Sequence, residues 1–375
     1  MFSIWEKESF YAPKDIVIVG SGFVGLWSAY FLKKKDPSLS ITIIDRGIIP
    51  TGASTRNAGF SCFGSVTELM ADTLNIGEDK MLELVEMRYR GLKRIRKTFR
   101  SSDIAYEEAG GYELVTPYQG IGINLLRSNI DWLNQRLKGI TGKTKTFQVS
   151  DSKISQFGFR EVNHLIENKL EGELHSGKLC QKLLQLVQSL GVTVLNNIEI
   201  KHFGHVNGRI ELETNVPTNL YCNKLLVCTN AFAKQLLPDL DVEPARGQIL
   251  VTSPLPSLKW KGTFHYDEGF YYFRDLHNRV LLGGARNKAF EAEHTYDLST
   301  TALIQDELER FLREVILPGQ DLQIEYRWSG IMGTGGEKKP VLRELSQNIF
   351  CAVRMGGMGV ALAPQVGKWV AKNMI

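Results

Sequence analysis

Early in the chain stand four consecutive β-branched residues, Ile16 to Val19, that end at Gly20. Such a run predicts a strand buried on both faces. From Phe23 to Lys35 the apolar positions Val24, Ala29, Tyr30 and Phe31 fall at roughly helical spacing until a lysine run and Asp36-Pro37 end the pattern. Ser40 to Asp45, SITIID, reads as a second buried strand. Further along, Leu179, Leu183, Leu186, Val187 and Leu190 lie on one face of a helix. GFYYFRDLHNRVLLGGARN is two alternating runs around a turn with Asp275 and Asn278, the signature of a β-hairpin. Its period of two puts Tyr271 and Phe273 on one face and Tyr272 and Arg274 on the other. The segment Arg88 to Arg100 sets Leu92, Ile95 and Phe99, with Leu84 before them, at helical intervals among cations, predicting an amphipathic helix with a solvated face.

Between the first strand and the first helix stand Gly20, Ser21, Gly22 and Gly25, spaced GxGxxG. The first glycine permits a tight turn, the second lets backbone approach a pyrophosphate, and the third lets helix and strand pack closely. A phosphate placed there meets the positive end of the helix. Asp45 ends the second strand twenty residues after Gly25, where a carboxylate can bind the ribose hydroxyls of an adenosine. Strand, glycine turn, helix, strand and terminal acid together predict dinucleotide binding, with Arg46 beside the acid counted in the same site. An Asp at this position disfavours a 2′-phosphate.

The stretch TGASTRNAGFSCFG, Thr51 to Gly64, holds little core-forming bulk. Its small residues would let backbone N–H groups come close to a flat ring and its pyrophosphate. With IIP before it, this stretch resembles the flavin motif of the D-amino-acid oxidase-like family, whose serine, asparagine and glycine are matched by Ser54, Asn57 and Gly59. KLLVCTNAFA resembles that family's strand and turn beside the cofactor, with Thr229 matching and Asn230 where glycine is usual. RWSGIMGTGGEKKPVLREL and FCAVRMGGMGVALAPQVGKWVA resemble its paired C-terminal segments. The resemblance implies FAD as cofactor, held by Gly20, Ser21, Gly22, Gly25, Asp45, Arg46, Ser54, Arg56, Asn57, Ala58, Gly59, Thr229, Gly357, Met358, Gly359, Val360 and Ala361. A helix beginning near Val360 would point its positive end at the part of the flavin that gains charge on reduction.

The resemblance further implies an α/β fold, with a doubly wound Rossmann-like FAD-binding domain and a second, mainly antiparallel substrate domain. The cofactor motifs place the first at residues 12–78, 150–237 and 326–375, and the second at 79–149 and 238–325. It implies oxidation of a CH–NH bond of an amino acid or secondary amine by hydride transfer to flavin N5. A 2-hydroxy acid or polyol-phosphate dehydrogenase is the alternative on the same fold, and a non-catalytic nucleotide-binding module the rival of another class. Tyr271 falls where relatives present a substrate-contacting tyrosine, and His265, just before the hairpin, is a candidate acid or base. Many members clamp a substrate carboxylate with an arginine where this chain has Met332, so Arg286 and Arg354 are the candidate replacements.

Composition narrows the rest. In 375 residues, 45 cations and 41 anions are interspersed for a net charge of +4, which is the pattern of a solvated surface and does not imply nucleic acid. Five cysteines, odd in number and never spaced CxxC, imply neither a disulfide framework nor a metal site, and fit a reducing compartment. No apolar run reaches the roughly 18 residues of a membrane span. The expectation is a cytoplasmic enzyme whose partners are a small amine or amino acid and an electron acceptor, oxygen or quinone.

Overall fold

The computed structural model describes residues 2–375, which divide into two compact units. The first comprises residues 2–55, Gly177–Ala245 and Met332–Ile375; the second comprises Arg56–Ser176 and Arg246–Ile331. The motif-based boundaries differ from these: residues 56–78 and 150–176, expected with the nucleotide-binding part, belong to the second unit.

In the first unit the run expected as a buried strand is Lys14–Val19, at the centre of an eight-stranded sheet. It pairs in parallel with Ile41–Asp45 on one side and Leu220–Val227 on the other, and Thr193–Asn196 and Ile349–Val353 extend the sheet in parallel. Neighbours on both sides of the first strand make its carboxyl end the point where the strand order reverses, the usual ligand position in such sheets. Val17, Val19, Leu225, Val227 and Cys351 fill the core on this sheet. The helices Phe23–Lys35 and Gly359–Met374 pack together so closely that a Cβ on Gly367 would lie 2.6 Å from the carbonyl carbon of Trp27.

The second unit is built on another eight-stranded sheet, in the order Ile324–Thr334, Glu243–Thr252, Arg279–Gly284, Tyr271–Leu276, Thr263–Tyr266, Gly111–Val115, His164–Asn168, Gln148–Val149. Its pairings include one parallel pair, Thr263–Tyr266 with Gly111–Val115, within a mostly antiparallel arrangement. The hairpin is present: Leu276 pairs with Arg279, and His277 and Asn278 between them both have positive φ. That is the two-residue turn whose twist matches the flanking strands. One sheet face packs Tyr271, Phe273, Phe264, Leu250 and Leu282 against Ile304, Leu308 and Phe311 of the helix Ala302–Phe311. The basic amphipathic pattern is the helix Glu78–Thr98, with Leu84, Leu92 and Ile95 buried. Among the described residues, no helix is long and apolar enough to cross a membrane.

Candidate functional site

In the first unit the glycine turn is built by close approach. Gly20 has φ +103°, and a Cβ on Gly25 would lie 2.0 Å from the Gly20 carbonyl oxygen, so any side chain there would force helix and strand apart. The Gly22 backbone caps the helix with no side-chain cap, and Ser54 Oγ accepts the Phe23 N–H at 2.9 Å. Ser21 is buried and donates its N–H (2.8 Å) and hydroxyl (2.7 Å) to Asp45 Oδ2, while the Gly47 N–H reaches Oδ1 at 2.9 Å. Three donors leave a carboxylate with accepting capacity to spare. Arg46 lies over the Phe232 ring at 4.1 Å, with Gln235 and Glu199 near its guanidinium.

Thr229 follows the strand Leu220–Val227, and its hydroxyl is buried without a hydrogen-bond partner. Asn230 takes φ +48°, the left-handed conformation that asparagine tolerates, and its Oδ1 accepts the Met355 N–H at 3.1 Å. Gly356 and Gly357 also have positive φ and deliver the chain to a helix that starts at Gly359, capped by Met358 with no side-chain bond. Val360 and Ala361 form its first turn.

In the second unit, Asn57 Oδ1 accepts the Gly59 N–H (2.9 Å) and the Ser176 hydroxyl (2.6 Å), closing a small turn. Arg56 donates to the Ser329 carbonyl at 2.9 Å, and its own carbonyl accepts Trp328 Nε1 at 2.9 Å. The Gly59 carbonyl is held from below by Arg274 (3.3 Å), which also donates to the Leu174 carbonyl (2.9 Å) and pairs with Glu173 at 3.1 Å. Burial lowers the Arg274 pKa and raises that of Glu173 to about 7. Ala58 packs with Tyr272, Leu276 and Trp328 on a small apolar cluster of Ile249, Val251 and Leu281.

A family of FAD-dependent oxidoreductases, DAO, matches residues 15–373, nearly the whole chain. The chain belongs to this family. A probable oxidoreductase, OrdL, of Haemophilus influenzae is 22% identical over 381 residues, covering 96% of this chain and 83% of that protein. An N-methyl-L-tryptophan oxidase of Escherichia coli is 25% identical over 322 residues, covering 81% and 79%. The glycine oxidase of Geobacillus kaustophilus shares the fold, with a TM-score of 0.76 at 19% identity over 96% of this chain and 94% of that one.

The protein is thus a FAD-dependent oxidoreductase, and the residues present fit the cofactor. The close-packed glycine turn, the helix starts at Gly22 and Met358, whose N-cap residues make no side-chain bond, and the Thr229 hydroxyl, buried without a partner, fit a bound dinucleotide.

The candidate reacting groups lie in different surroundings. Tyr271 is a core residue: it is 2% exposed, its hydroxyl donates to Glu307 at 2.6 Å, and its ring packs on Phe311 and Tyr266. Alternation puts Tyr272 on the opposite face, against Phe60 at 5.8 Å. Its ring lies over Gly283, where a Cβ would come within 2.5 Å of it, and burial pushes its phenol up to about 12. Arg354 is 6% exposed, pairs with Asp241, donates to the Asp241 (3.1 Å) and Lys339 (2.9 Å) carbonyls, and has φ +65°. Arg286 sits in a short turn with its guanidinium 4.7 Å over Phe290, and burial lowers its pKa. His265 is 6% exposed, on the same sheet face as Tyr272 and edge-on to Phe60 at 5.3 Å. Sequence reasoning missed Tyr272, Arg274, Glu171, Glu173 and Ser176. Only Tyr272 and Arg274 carried a signal, the alternation of the hairpin.

Proposed function

We propose that the protein oxidises a CH–NH bond of an amino acid or secondary amine, with the substrate lying on the Tyr272 face of the second unit's sheet. The observation that carries this is the chemistry of that face. Phe60, Tyr272, Trp328 and Leu281 supply apolar surface, and the Tyr272 hydroxyl has no hydrogen-bond partner among the described residues. The relative named as an N-methyl-L-tryptophan oxidase supports an amine substrate.

FAD, when bound, accepts the two electrons released as the C–H bond breaks. The glycine turn, Ser54 and Asp45 would hold its nucleotide half. Tyr272 orients the substrate through its free hydroxyl, and the apolar neighbours exclude water and favour the neutral amine, the form that gives up electrons. The amine proton leaves to solvent, and water hydrolyses the imine product. Where the substrate carries a carboxylate, Arg286 is the guanidinium left to meet it, since Arg354, Arg274 and Arg246 are each paired with a carboxylate.

The test is anaerobic flavin reduction by a panel of N-methyl amino acids, D- and L-amino acids, simple secondary amines and 2-hydroxy acids. Bleaching by amines supports the reading; bleaching by hydroxy acids alone overturns it. Oxygen and a soluble quinone, offered to the reduced protein in turn, identify the acceptor.

A further inference from the structure

Residues 59–67 link the turn at Asn57 to the helix Val66–Ile76, and only Phe60–Ser61 forms strand pairs, with Gly172–Glu173. Buried charged groups hold the remainder. Arg274 holds the Gly59 carbonyl. Glu171 Oε1 accepts the Phe63 N–H at 3.0 Å. Glu113 accepts the Thr67 N–H (3.2 Å), the Ser65 hydroxyl (2.9 Å) and the Thr67 hydroxyl. Glu171 and Glu113 are each 2% exposed, and carboxylates so deep are costly unless matched. Gly111 is the reason Glu171 fits, because a Cβ there would lie 2.2 Å from Oε2.

The cation that faces Glu171 is His265. Its Nε2 lies 3.5 Å from Glu171 Oε2, is buried, and makes no hydrogen bond. His265 pairs across the sheet with Glu113, and its ring meets Phe60 edge-on. The groups around it therefore come from every neighbouring strand and loop: Cys62, Glu171 and Glu113, with Glu68 farther out in its 3.2 Å pair with Arg88.

We propose that Glu171 and His265 are a positioning pair that sets residues 57–63 against the flavin, so that FAD affinity depends on the charge of His265. This rests on the reading of residues 56–59 as flavin contacts. Burial opposes a charge on His265, but the neighbouring Cys62 and Glu171 hold its pKa well above the usual imidazole range. A raised imidazole pKa gives a contribution that is complete below the ordinary value of 6.5 and is lost as pH rises through the folded-state value. Burial raises Cys62 and Glu113 as well. The His265→Gln variant, which keeps a polar side chain but no charge, separates the histidine from these two.

The experiment titrates apoprotein with FAD, followed by fluorescence quenching, from about pH 6.5 to 9.5 for the wild type, His265→Gln and Glu171→Gln, with thermal melting as the folding control. The wild type should bind tightest at the acid end and weaken about tenfold towards the alkaline end. His265→Gln should bind about tenfold more weakly than wild type at neutral pH and lose the pH dependence, and Glu171→Gln should shift the same way. A His265→Gln protein with the wild-type affinity and pH profile overturns the proposal while leaving the flavin reading intact. Wild-type protein that binds no FAD at any pH overturns the flavin reading itself. Should His265→Gln fail to fold, a wild-type affinity that stays flat to the alkaline limit, with Glu171→Gln unchanged, overturns the pair.

Discussion

The two faces of the second unit's sheet each carry a tyrosine of the same hairpin strand, in different jobs. On one face Tyr271, Phe273, Phe264 and Tyr112 stack into a close-packed aromatic layer, with Phe264 and Phe273 parallel at 4.6 Å and Tyr112 stacked on Phe264 at 5.0 Å. On the other face, one residue along, stand Tyr272, Arg274, His265 and Glu113. Strand alternation forces this split but is symmetric: it says that the faces differ and is silent on which is which. What decides is the cover each face receives. Apolar helical residues from Ala302–Phe311 cover the Tyr271 face, whereas polar, glycine-bearing residues 57–67 cover the Tyr272 face.

The largest difference between the faces is expected at Arg274. Arg274→Met leaves Glu173 buried without its partner and releases the Gly59 carbonyl, a loss of about 3–5 kcal/mol of stability by denaturant titration. An unchanged midpoint would show that residues 57–61 are held by something else. On the opposite face, Phe273→Ala should cost about 3–5 kcal/mol through a cavity in the aromatic layer while leaving the FAD dissociation constant of the folded protein unchanged. A large fall in FAD affinity would deny that this face is only structural.

Glu173 sharpens the contrast through pH. Its carboxyl is raised to about 7 from an ordinary 4.5, so the folded chain holds a proton there that the unfolded chain releases, and stability falls as pH rises through that window. A shift of that size corresponds to about 3 kcal/mol at most. Glu173→Gln should therefore flatten the melting temperature between pH 4.5 and 7; a slope equal to wild type would contradict it. The smallest effect is expected at Tyr271, where Tyr271→Phe removes one hydrogen bond to Glu307 and should cost about 1 kcal/mol by thermal melting.

Much of the first unit was legible because its determinants are local. Four β-branched residues, three glycines and a terminal aspartate lie within 30 residues of one another, and the turn they describe is the turn that forms. The hairpin was legible for the same reason. The unread parts depend on long-range partners. Arg354 is fixed by Asp241, 113 residues away, and Gly59 by Arg274, 215 residues away. Glu171, in the turn after a strand, carries no local mark of a residue that will accept a backbone N–H 108 positions earlier. The unit boundary at Thr55–Arg56 cuts through the motif itself, between Ser54, which caps the first helix, and Asn57, which closes a turn in the other unit.

Which tyrosine meets the substrate decides which face of the sheet reacts. The direct measurement is the rate of anaerobic flavin reduction by the best amine of the panel, in wild type, Tyr271→Phe and Tyr272→Phe, by stopped flow at saturating amine. Tyr271→Phe should reduce at the wild-type rate, and Tyr272→Phe about tenfold more slowly, which is about 1.4 kcal/mol of barrier, with the flavin spectrum unchanged. A slow Tyr271→Phe beside an unaffected Tyr272→Phe would contradict the account and return the reacting centre to the face assigned here to the core.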